Sequence, residues 1–269
     1  LWVSECRNLS ETKFLLAQHG GGYGLCKYYA TLDFELKSSD RYISWGWRSE
    51  KKVVRGSPQN RTFRINVKPN AQGKILSYLM ALPRYSYWMY GSPVSALFQD
   101  YIDQQAEFIQ SLDPEIAQLL LLKPSPTDYG WDVEKQIAAK TGFQFPVCSG
   151  NHKKLLSKSR LFIGTYNATT FLETFHINFP TILFWNPNYW ELNEEAKPYF
   201  EERERVGIFH STPMSAAKFL NQNLGDIADW WQNSEVQNVK NEFCMEYLHK
   251  SANVTKDYVR ILRDELSAL

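Results

Sequence analysis

The chain has 269 residues with a net charge of +1, and 43% of them are apolar, which is enough to build a buried core. The near-neutral charge argues against a non-specific nucleic-acid surface, and no apolar run approaches the roughly 20 residues that span a bilayer. The cysteines have neither CxxC nor metal-ligand spacing, which favours a reducing compartment: Cys6, Cys26, Cys148 and Cys244. Because the chain begins Leu1-Trp2-Val3, without Met, we interpret it as the C-terminal part of a longer protein.

The first 56 residues contain one predicted strand and little other regular structure. The apolar run Phe14–Ala17 is typical of a strand from a sheet whose other strands lie outside the chain. It leads into the glycine-rich loop Gln18–Gly24. Residues 25–56, which include the aromatic segment Asp40–Arg48, are typical of a linker or crossover that lacks its own core.

From Lys74 onward, apolar strands alternate with amphipathic helices. The predicted strands are Ile75–Leu82, Ala117–Leu122, Phe145–Cys148, Leu161–Ile163 and Thr181–Trp185. The predicted helices are Ser92–Leu112, Asp132–Thr141, His152–Lys158, Thr169–Asn178, Ser215–Asn223, Gly225–Gln232, Glu235–Lys250 and Asn253–Leu269. This pattern predicts an α/β fold, a Rossmann-like parallel sheet with a helical C-terminal extension, which binds ligands at the carboxyl ends of its strands.

The glycine-rich loop is the first candidate site. Gly20, Gly21, Gly22 and Gly24 permit a close backbone approach to a ligand such as a phosphate. His19, just before them, could act as a general base or donate to a phosphate oxygen. A flexible surface turn is the alternative. An esterase oxyanion hole is a third interpretation, but it requires a Gly-x-Ser-x-Gly nucleophile elbow, which the sequence lacks.

A second candidate site is the turn that follows the predicted strand Leu161–Ile163. Its hydroxyl and amide side chains, from Thr165, Asn167, Thr169 and Thr170, are placed to hold a diphosphate at a helix N-terminus. Glu173, three or four residues later, would then hold a ribose. The alternative is a well-capped helix, with Thr169 or Thr170 as the N-cap and Glu173 completing a capping box.

A third loop follows the predicted strand Ala117–Leu122. Lys123 could neutralise phosphate charge, and Asp128 could serve as an acid or base; the alternative is a turn with an aspartate N-cap. Trp45 and Trp47 either stack on a sugar or pack between domains. The other histidines are interpreted as structural or solvated side chains: His152, His176, His210 and His249. No metal-ligand cluster and no Asp-x-Asp is present, so we expect neither a metal nor another cofactor.

Taken in order, these segments resemble a bacterial family of surface-carbohydrate transferases. The resemblance rests on Gln18–Gly20, Asp40–Trp47, Asp128–Trp131 and Gly164–Thr174, and it covers residues 14–247. That family is similar to the GT-B class and, more distantly, to teichoic-acid polyol-phosphate transferases, which have a Gln-Thr-Trp-His-Gly loop and a Thr-Asp-Tyr-Ser-Ser turn.

The resemblance implies two Rossmann-like domains that face a cleft, with the donor nucleotide held mainly by the C-terminal one. The chain would then comprise a crossover with the remnant of an N-terminal domain (1–56), a donor-binding domain (57–212) and C-terminal helices (213–269), the C-terminal half of a GT-B fold. Where the teichoic-acid enzymes carry His-Pro, this chain has Lys123-Pro124, so no second catalytic histidine is carried over.

The predicted function is that of a metal-independent transferase that moves a sugar or polyol phosphate from a nucleotide-activated donor, as co-substrate, to a surface-polysaccharide acceptor. His19, Lys123 and Asp128 are the predicted catalytic residues. The acceptor would be a carbohydrate or a lipid-linked molecule. The protein is expected to be cytoplasmic, in peripheral contact with the inner face of the membrane when it meets such an acceptor. Two alternatives remain open: a non-catalytic nucleotide-sugar-binding domain, and a UDP-sugar epimerase of similar shape.

Overall fold

The computed structural model describes residues 2–9, 12–29, 31–49, 51–59, 61–86, 89–144, 148 and 150–267. The helices of this described part are α1 (Trp2–Leu9), α2 (Leu32–Ser38), α3 (Phe98–Gln110), α4 (Pro114–Ala117), α5 (Val133–Thr141), α6 (His152–Leu156), α7 (Thr169–His176), α8 (Lys197–Arg205), α9 (Pro213–Asn223), α10 (Ile227–Gln232), α11 (Ser234–Tyr247) and α12 (Val254–Ser267). Its strands are β1 (Leu15–Ala17), β2 (Arg41–Ser44), β3 (Val53–Arg55), β4 (Lys74–Tyr78), β5 (Leu120–Lys123), β6 (Ser159–Gly164), β7 (Thr181–Phe184) and β8 (Phe209–His210).

The N-terminal region forms a small sheet of its own. Strands β1, β2 and β3 lie in this order and are parallel, with Leu16 opposite Tyr42. The strand partners of β1 therefore lie within the chain, which corrects our interpretation of an isolated strand. Tyr42, Trp45 and Trp47 are buried, so residues 25–56 contribute core side chains and are not a linker without a core.

The larger sheet has five parallel strands in the order β5-β4-β6-β7-β8. The middle residues of its central strands are mostly apolar and buried, as is typical of a parallel sheet covered by helices; Ile75, Leu161 and Ile163 are fully buried. The predicted α/β fold with a parallel sheet is confirmed. Counted within this sheet the order is 2-1-3-4-5, which places a topological switch point between β4 and β6, where doubly wound sheets bind their ligands.

The C-terminal helix α12 lies against the N-terminal sheet. The Ser57 hydroxyl donates to Asp257 Oδ2 over 2.8 Å, and the Tyr258 hydroxyl donates to Gln59 Oε1 over 3.0 Å. Glu265, near the end of the helix, accepts from the guanidinium of Arg41 at 2.9 Å. These contacts join the last helix of the chain to its first strands.

Several helices and strands begin or end at residues other than the predicted ones. The segment predicted as the strand Ala117–Leu122 is split, since α4 ends at its first residue and β5 begins three residues later. The predicted helix Ser92–Leu112 begins with a 3₁₀ turn, Ser95–Leu97, before α3. Helix α8 was not predicted, because its buried face consists only of Phe200 and Arg203. The predicted strand Phe145–Cys148 lies, apart from its last residue, outside the described residues.

Candidate functional site

The glycine loop and the threonine turn, about 145 residues apart in sequence, are in direct contact. The Gly21 N–H donates to Thr169 Oγ1 over 2.9 Å. A Cβ atom added to Gly21 would lie 2.6 Å from the carbonyl carbon of Ala168 and from the amide nitrogen of Thr169. A backbone approach this close requires glycine. The carboxyl end of β1 and the carboxyl end of β6 therefore meet at one place.

Gln18 holds the start of the glycine loop. Its side chain is buried, and its amide oxygen accepts from the Trp45 backbone N–H and from Trp47 Nε1, both over 2.8 Å. Its amide nitrogen donates to the Gly20 carbonyl over 2.8 Å. Trp45 and Trp47 thus pack in the core around this amide. One carboxamide connects the loop to the segment that follows β2.

Gly24 fixes the other end of the loop. Its φ of +73° lies in the left-handed region, and a Cβ there would lie 2.5 Å from the Trp47 ring. A larger residue would be strained by its backbone and by this contact alike. Gly21 is therefore required by packing, and Gly24 by packing and by conformation, which a flexible surface turn would not need.

His19 belongs to a polar network with Tyr23 and Glu35. Its Nε2 lies 2.6 Å from the Tyr23 hydroxyl and 3.2 Å from Glu35 Oε1, and the same hydroxyl donates to Glu35 Oε1 over 2.9 Å. We assign the imidazole proton to Nε2, because the Tyr23 hydroxyl donates to Glu35 and both neighbours of Nε2 can then accept. Nδ1 is then the basic nitrogen of an imidazole that is 64% exposed. Glu35 was not predicted as a site residue.

The residues of the threonine turn have different environments. Thr165 is buried; its hydroxyl donates to the Tyr78 carbonyl over 3.0 Å and lies 2.8 Å from the Tyr101 hydroxyl. We therefore correct its predicted role as a diphosphate contact, because both of its bonds are made inside the core. Asn167 is also buried, and its amide donates to Cys26 Sγ over 3.4 Å. Thr169 and Thr170 are half-buried, at the start of α7.

Replacing Thr165 by valine is expected to lower the free energy of unfolding by about 1–2 kcal/mol, because the buried Tyr101 hydroxyl loses its acceptor. Nucleotide affinity should stay within twofold of the wild type. Urea unfolding and calorimetry measure the two quantities. Thr165→Ser, which keeps the hydroxyl, should retain the stability. A loss of nucleotide affinity at unchanged stability would return Thr165 to the ligand site.

The N-terminus of α7 carries no side-chain cap. Ala168 occupies the N-cap position and makes no capping hydrogen bond, while the hydroxyl of Thr169 accepts from Gly21 instead. The predicted cap by Thr169 or Thr170 is therefore absent from this helix. A helix start without a capping side chain leaves N–H groups for an anion, which the positive end of the helix dipole also favours.

A cluster of polar side chains lies at the switch point between β4 and β6. Nδ1 of His152 lies 2.7 Å from the Tyr78 hydroxyl, and its Nε2 lies 3.5 Å from Glu173 Oε2. Burial, and then the charge of Lys123, lowers the pKa of His152 to about 4, so this imidazole is neutral at pH 7. Lys123 Nζ lies 4.9 Å from the centre of the Tyr78 ring. Lys123 and Glu173 were predicted site residues, whereas Tyr78 was not and His152 was interpreted as structural.

Asp128 accepts hydrogen bonds from the loop that leads into α5. Its carboxylate accepts from the backbone N–H groups of Asp132, Gly130 and Val133 over 3.0, 3.0 and 3.3 Å. These bonds, that from Asp132 above all, hold the pKa of Asp128 below its usual value. A carboxylate stabilised in its charged form is a poor proton donor. Asp128 thus stabilises the turn before α5, and its role as an acid or base stays a prediction.

Among the described residues, no group of three or more His, Cys, Asp and Glu side chains is arranged to hold a metal ion. None of the helices in the same part of the chain is long and apolar enough to cross a bilayer.

A comparison with solved structures finds similar proteins. The chain is similar to WaaG, a glycosyltransferase involved in lipopolysaccharide biosynthesis, with 11% identity and a TM-score of 0.41 over 77% of this chain and 60% of WaaG. It is also similar to two variants of the wall teichoic acid polymerase TagF, with 14% and 12% identity and TM-scores of 0.41, over 90% and 96% of this chain and 64% and 69% of TagF. The chain thus spans less than two thirds of the first two structures.

The comparison of sequences gives a family. A search of curated proteins finds no significant match. A family model described as the LIC12162 family transferase matches residues 1–262, nearly the whole chain. The resemblance to a transferase family, which the sequence motifs indicated for residues 14–247, is thereby confirmed. The chain belongs to the LIC12162 family of transferases.

Proposed function

We propose that this chain carries the donor site of a GT-B-type transferase, which moves a sugar or polyol phosphate from a nucleotide-activated donor to a surface-polysaccharide acceptor. The observation that carries the proposal is the contact between Gly21 and Thr169 beside the switch point of the larger sheet. Open α/β sheets bind ligands at this point, and a helix that starts there favours phosphate.

The donor phosphates would lie at the start of α7. The N–H groups of its first turn and the hydroxyls of Thr169 and Thr170 are the groups that would hold them. Lys123 ends β5, two strands from Gly164, which is roughly 10 Å at the usual strand spacing. Its positive charge and the helix dipole would stabilise the departing nucleotide, so the proposal needs no metal ion. Glu173 would hold a ribose hydroxyl.

His19 would act as the general base. The Nε2 proton is directed at Tyr23 and Glu35, which leaves the Nδ1 lone pair to accept a proton. A nearby carboxylate stabilises the imidazolium that forms on proton transfer. Its position at the start of the glycine loop places it two residues from the contact with Thr169.

For a sugar donor, the acceptor oxygen forms a bond to the anomeric carbon while the bond from that carbon to the phosphate oxygen breaks. His19 takes the proton of the acceptor hydroxyl, and the electron pair of the broken bond leaves with the nucleotide phosphate. For a polyol-phosphate donor, the acceptor oxygen forms a bond to the phosphorus of the polyol phosphate instead. The bond from that phosphorus to the bridging oxygen breaks, its electron pair leaves with the nucleotide phosphate, and His19 again takes the proton of the acceptor hydroxyl. Activated nucleotides are cytoplasmic compounds, so a lipid-linked acceptor would be met at the inner face of the membrane.

A nucleotide screen tests the donor site. Thermal shift and calorimetry against CMP, CDP, UDP, GDP and their sugars, with and without EDTA, should give stabilisation by one base that survives EDTA. Ligand at 100 times Kd stabilises by about 2.7 kcal/mol. Thr169→Val with Thr170→Val should weaken binding about 10-fold or more, because hydrogen bonds to charged groups contribute about 1.5–3 kcal/mol each.

Thr255→Val is the control, because Thr255 is an exposed threonine in the first turn of α12. It should leave the nucleotide affinity unchanged. Absence of stabilisation by every nucleotide and nucleotide sugar would contradict the proposal, as would binding that the paired valine substitutions do not weaken. Loss of nucleotide stabilisation in EDTA would overturn the proposal that donor binding needs no metal ion.

A further inference from the structure

A cavity of about 670 Å³ lies beside the glycine loop. Its walls come from the glycine loop and the segment after it, from α2, from the residues that follow β2 and β7, and from the ends of α8 and α11. Both sheets of the molecule thus contribute to it. A volume of this size is in the range of ligand pockets for small molecules.

The cavity and the proposed donor site share the glycine loop. Gly24 and Cys26 line the cavity, while Gly21, three residues before Gly24, contacts Thr169. Three peptide units extend at most about 11 Å, so the two sites are neighbours. Tyr29, which also lines the cavity, has its hydroxyl 3.1 Å from the position of a Cβ on Gly20. The loop therefore contacts the start of α7 at Gly21 and lines the cavity at Gly24.

Aromatic side chains form much of the cavity wall. Tyr28 and Tyr90 make an edge contact, with ring centres 5.2 Å apart, and they are 40% and 59% exposed. Tyr199 on α8 and Tyr247 on α11 make a second such contact, with ring centres 5.4 Å apart. Aromatic rings that present one face to water combine an apolar surface with a polar hydroxyl. This is the combination that the C–H faces and hydroxyl groups of a sugar ring require.

Three carboxylates also line the cavity: Asp33, Glu195 and Glu246. In the part of the chain that the structure describes, no ion pair joins any of them to a cation. Ionised carboxylates accept hydrogen bonds and donate none, so they suit hydroxyl groups. They outnumber the two cations of the lining, Lys27 and Arg48, which makes the cavity unfavourable for a diphosphate.

We propose that this cavity binds the acceptor, a neutral or amine-bearing carbohydrate chain, in the transfer reaction of the proposed function on which this inference rests. The sugar rings stack on Tyr28 and Tyr90, and their hydroxyls donate to the carboxylates. The acceptor hydroxyl then reaches the donor across the edge of the glycine loop. Donor and acceptor thus occupy two sites of opposite electrostatic character.

The test uses the whole chain with Tyr90→Ala and Glu195→Gln. Their matched controls are Tyr85→Ala, on the same loop but 94% exposed and outside the lining, and Glu194→Gln, the neighbouring carboxylate, which pairs with Lys197. Binding to a printed array of bacterial surface glycans is measured first. We expect the wild type and both controls to bind the same glycans, and both cavity variants to lose at least 10-fold in affinity.

A second readout separates the two proposals. Nucleotide stabilisation should be unchanged in the cavity variants, while the KM for a glycan identified on the array rises at least 10-fold. Absence of glycan binding by the wild type would overturn the acceptor site, as would equal loss in the controls. Loss of nucleotide stabilisation in Tyr90→Ala would overturn it too, because the cavity would then hold the donor. A wild-type protein that binds glycans but no nucleotide would overturn the proposed function and leave the cavity as a carbohydrate site.

Discussion

Gly21→Ala is expected to lower nucleotide affinity and transfer rate at least 10-fold. The added Cβ would meet the carbonyl carbon of Ala168 and the amide nitrogen of Thr169 at 2.6 Å. Both atoms belong to the backbone and cannot rotate away, so the loop must move off α7 and lose its hydrogen bond to Thr169. Overpacking of this kind costs about 1–3 kcal/mol in stability. Calorimetry of nucleotide binding, kcat/KM and thermal unfolding measure the three effects.

Gly20→Ala is the matched control for this prediction. The nearest atom to a Cβ at Gly20 is the Tyr29 hydroxyl at 3.1 Å, the far end of a side chain that can shift. Neither glycine has a φ in the left-handed region, so the comparison isolates the contact with α7. The control should stay within about threefold of the wild type. Full affinity and turnover in Gly21→Ala would show that the contact between the loops plays no part in the function.

The alternation of strands and helices that builds the larger sheet could be predicted, because buried strands of a parallel sheet are continuous apolar runs. A strand such as Leu161–Ile163 is a continuous apolar run, and the turn Thr165–Thr170 that follows it is rich in hydroxyl groups. The sequence also placed Lys123 and the glycine loop at carboxyl ends of strands. Local pattern alone therefore predicted the edge of the sheet at which the candidate site lies.

The N-terminal sheet could not be predicted in this way. Strand β1 was predicted as the apolar run Phe14–Ala17, but β3 has three residues, which is too short for a period to be seen. The polar Gln18 holds Trp45 and Trp47 in the core through hydrogen bonds that cross 27 and 29 residues. An amide buried by long-range bonds looks like a surface residue in the sequence, and for this reason the segment was interpreted as a linker.

Partners of the site residues were missed for the same reason. Glu35 lies 16 residues after His19 in the sequence, on helix α2, and His152 lies 21 residues before Glu173. No motif spacing connects these pairs, because tertiary packing alone brings them together. Thr165 shows the opposite error. It has the residue type and the position of a ligand contact, but its hydroxyl faces Tyr101 and the interior of the sheet.

His19→Ala is expected to reduce kcat by a factor of about 10²–10⁴, the usual contribution of a general base. Nucleotide affinity should change less than twofold, because the imidazole is 64% exposed and bonds to Tyr23 and Glu35. Steady-state kinetics and calorimetry on the same preparation separate the two. Added imidazole should restore part of the lost rate. An equal loss of nucleotide affinity would show instead that His19 contacts the departing phosphate, and an unchanged kcat would remove it from the reaction.

Glu35→Gln tests whether Glu35 acts through His19 as a positioning residue. The amide keeps the shape of the side chain but removes the charge beside the imidazolium, so kcat should fall about 10-fold while nucleotide affinity stays within twofold of the wild type. Asp229→Asn, an exposed carboxylate on α10, should leave kcat unchanged. Steady-state kinetics in the wild-type and His19→Ala backgrounds measures whether the effect of Glu35→Gln needs the imidazole, and in the His19→Ala background we expect no further loss. An equal loss of kcat in both backgrounds would show that Glu35 does not act through His19.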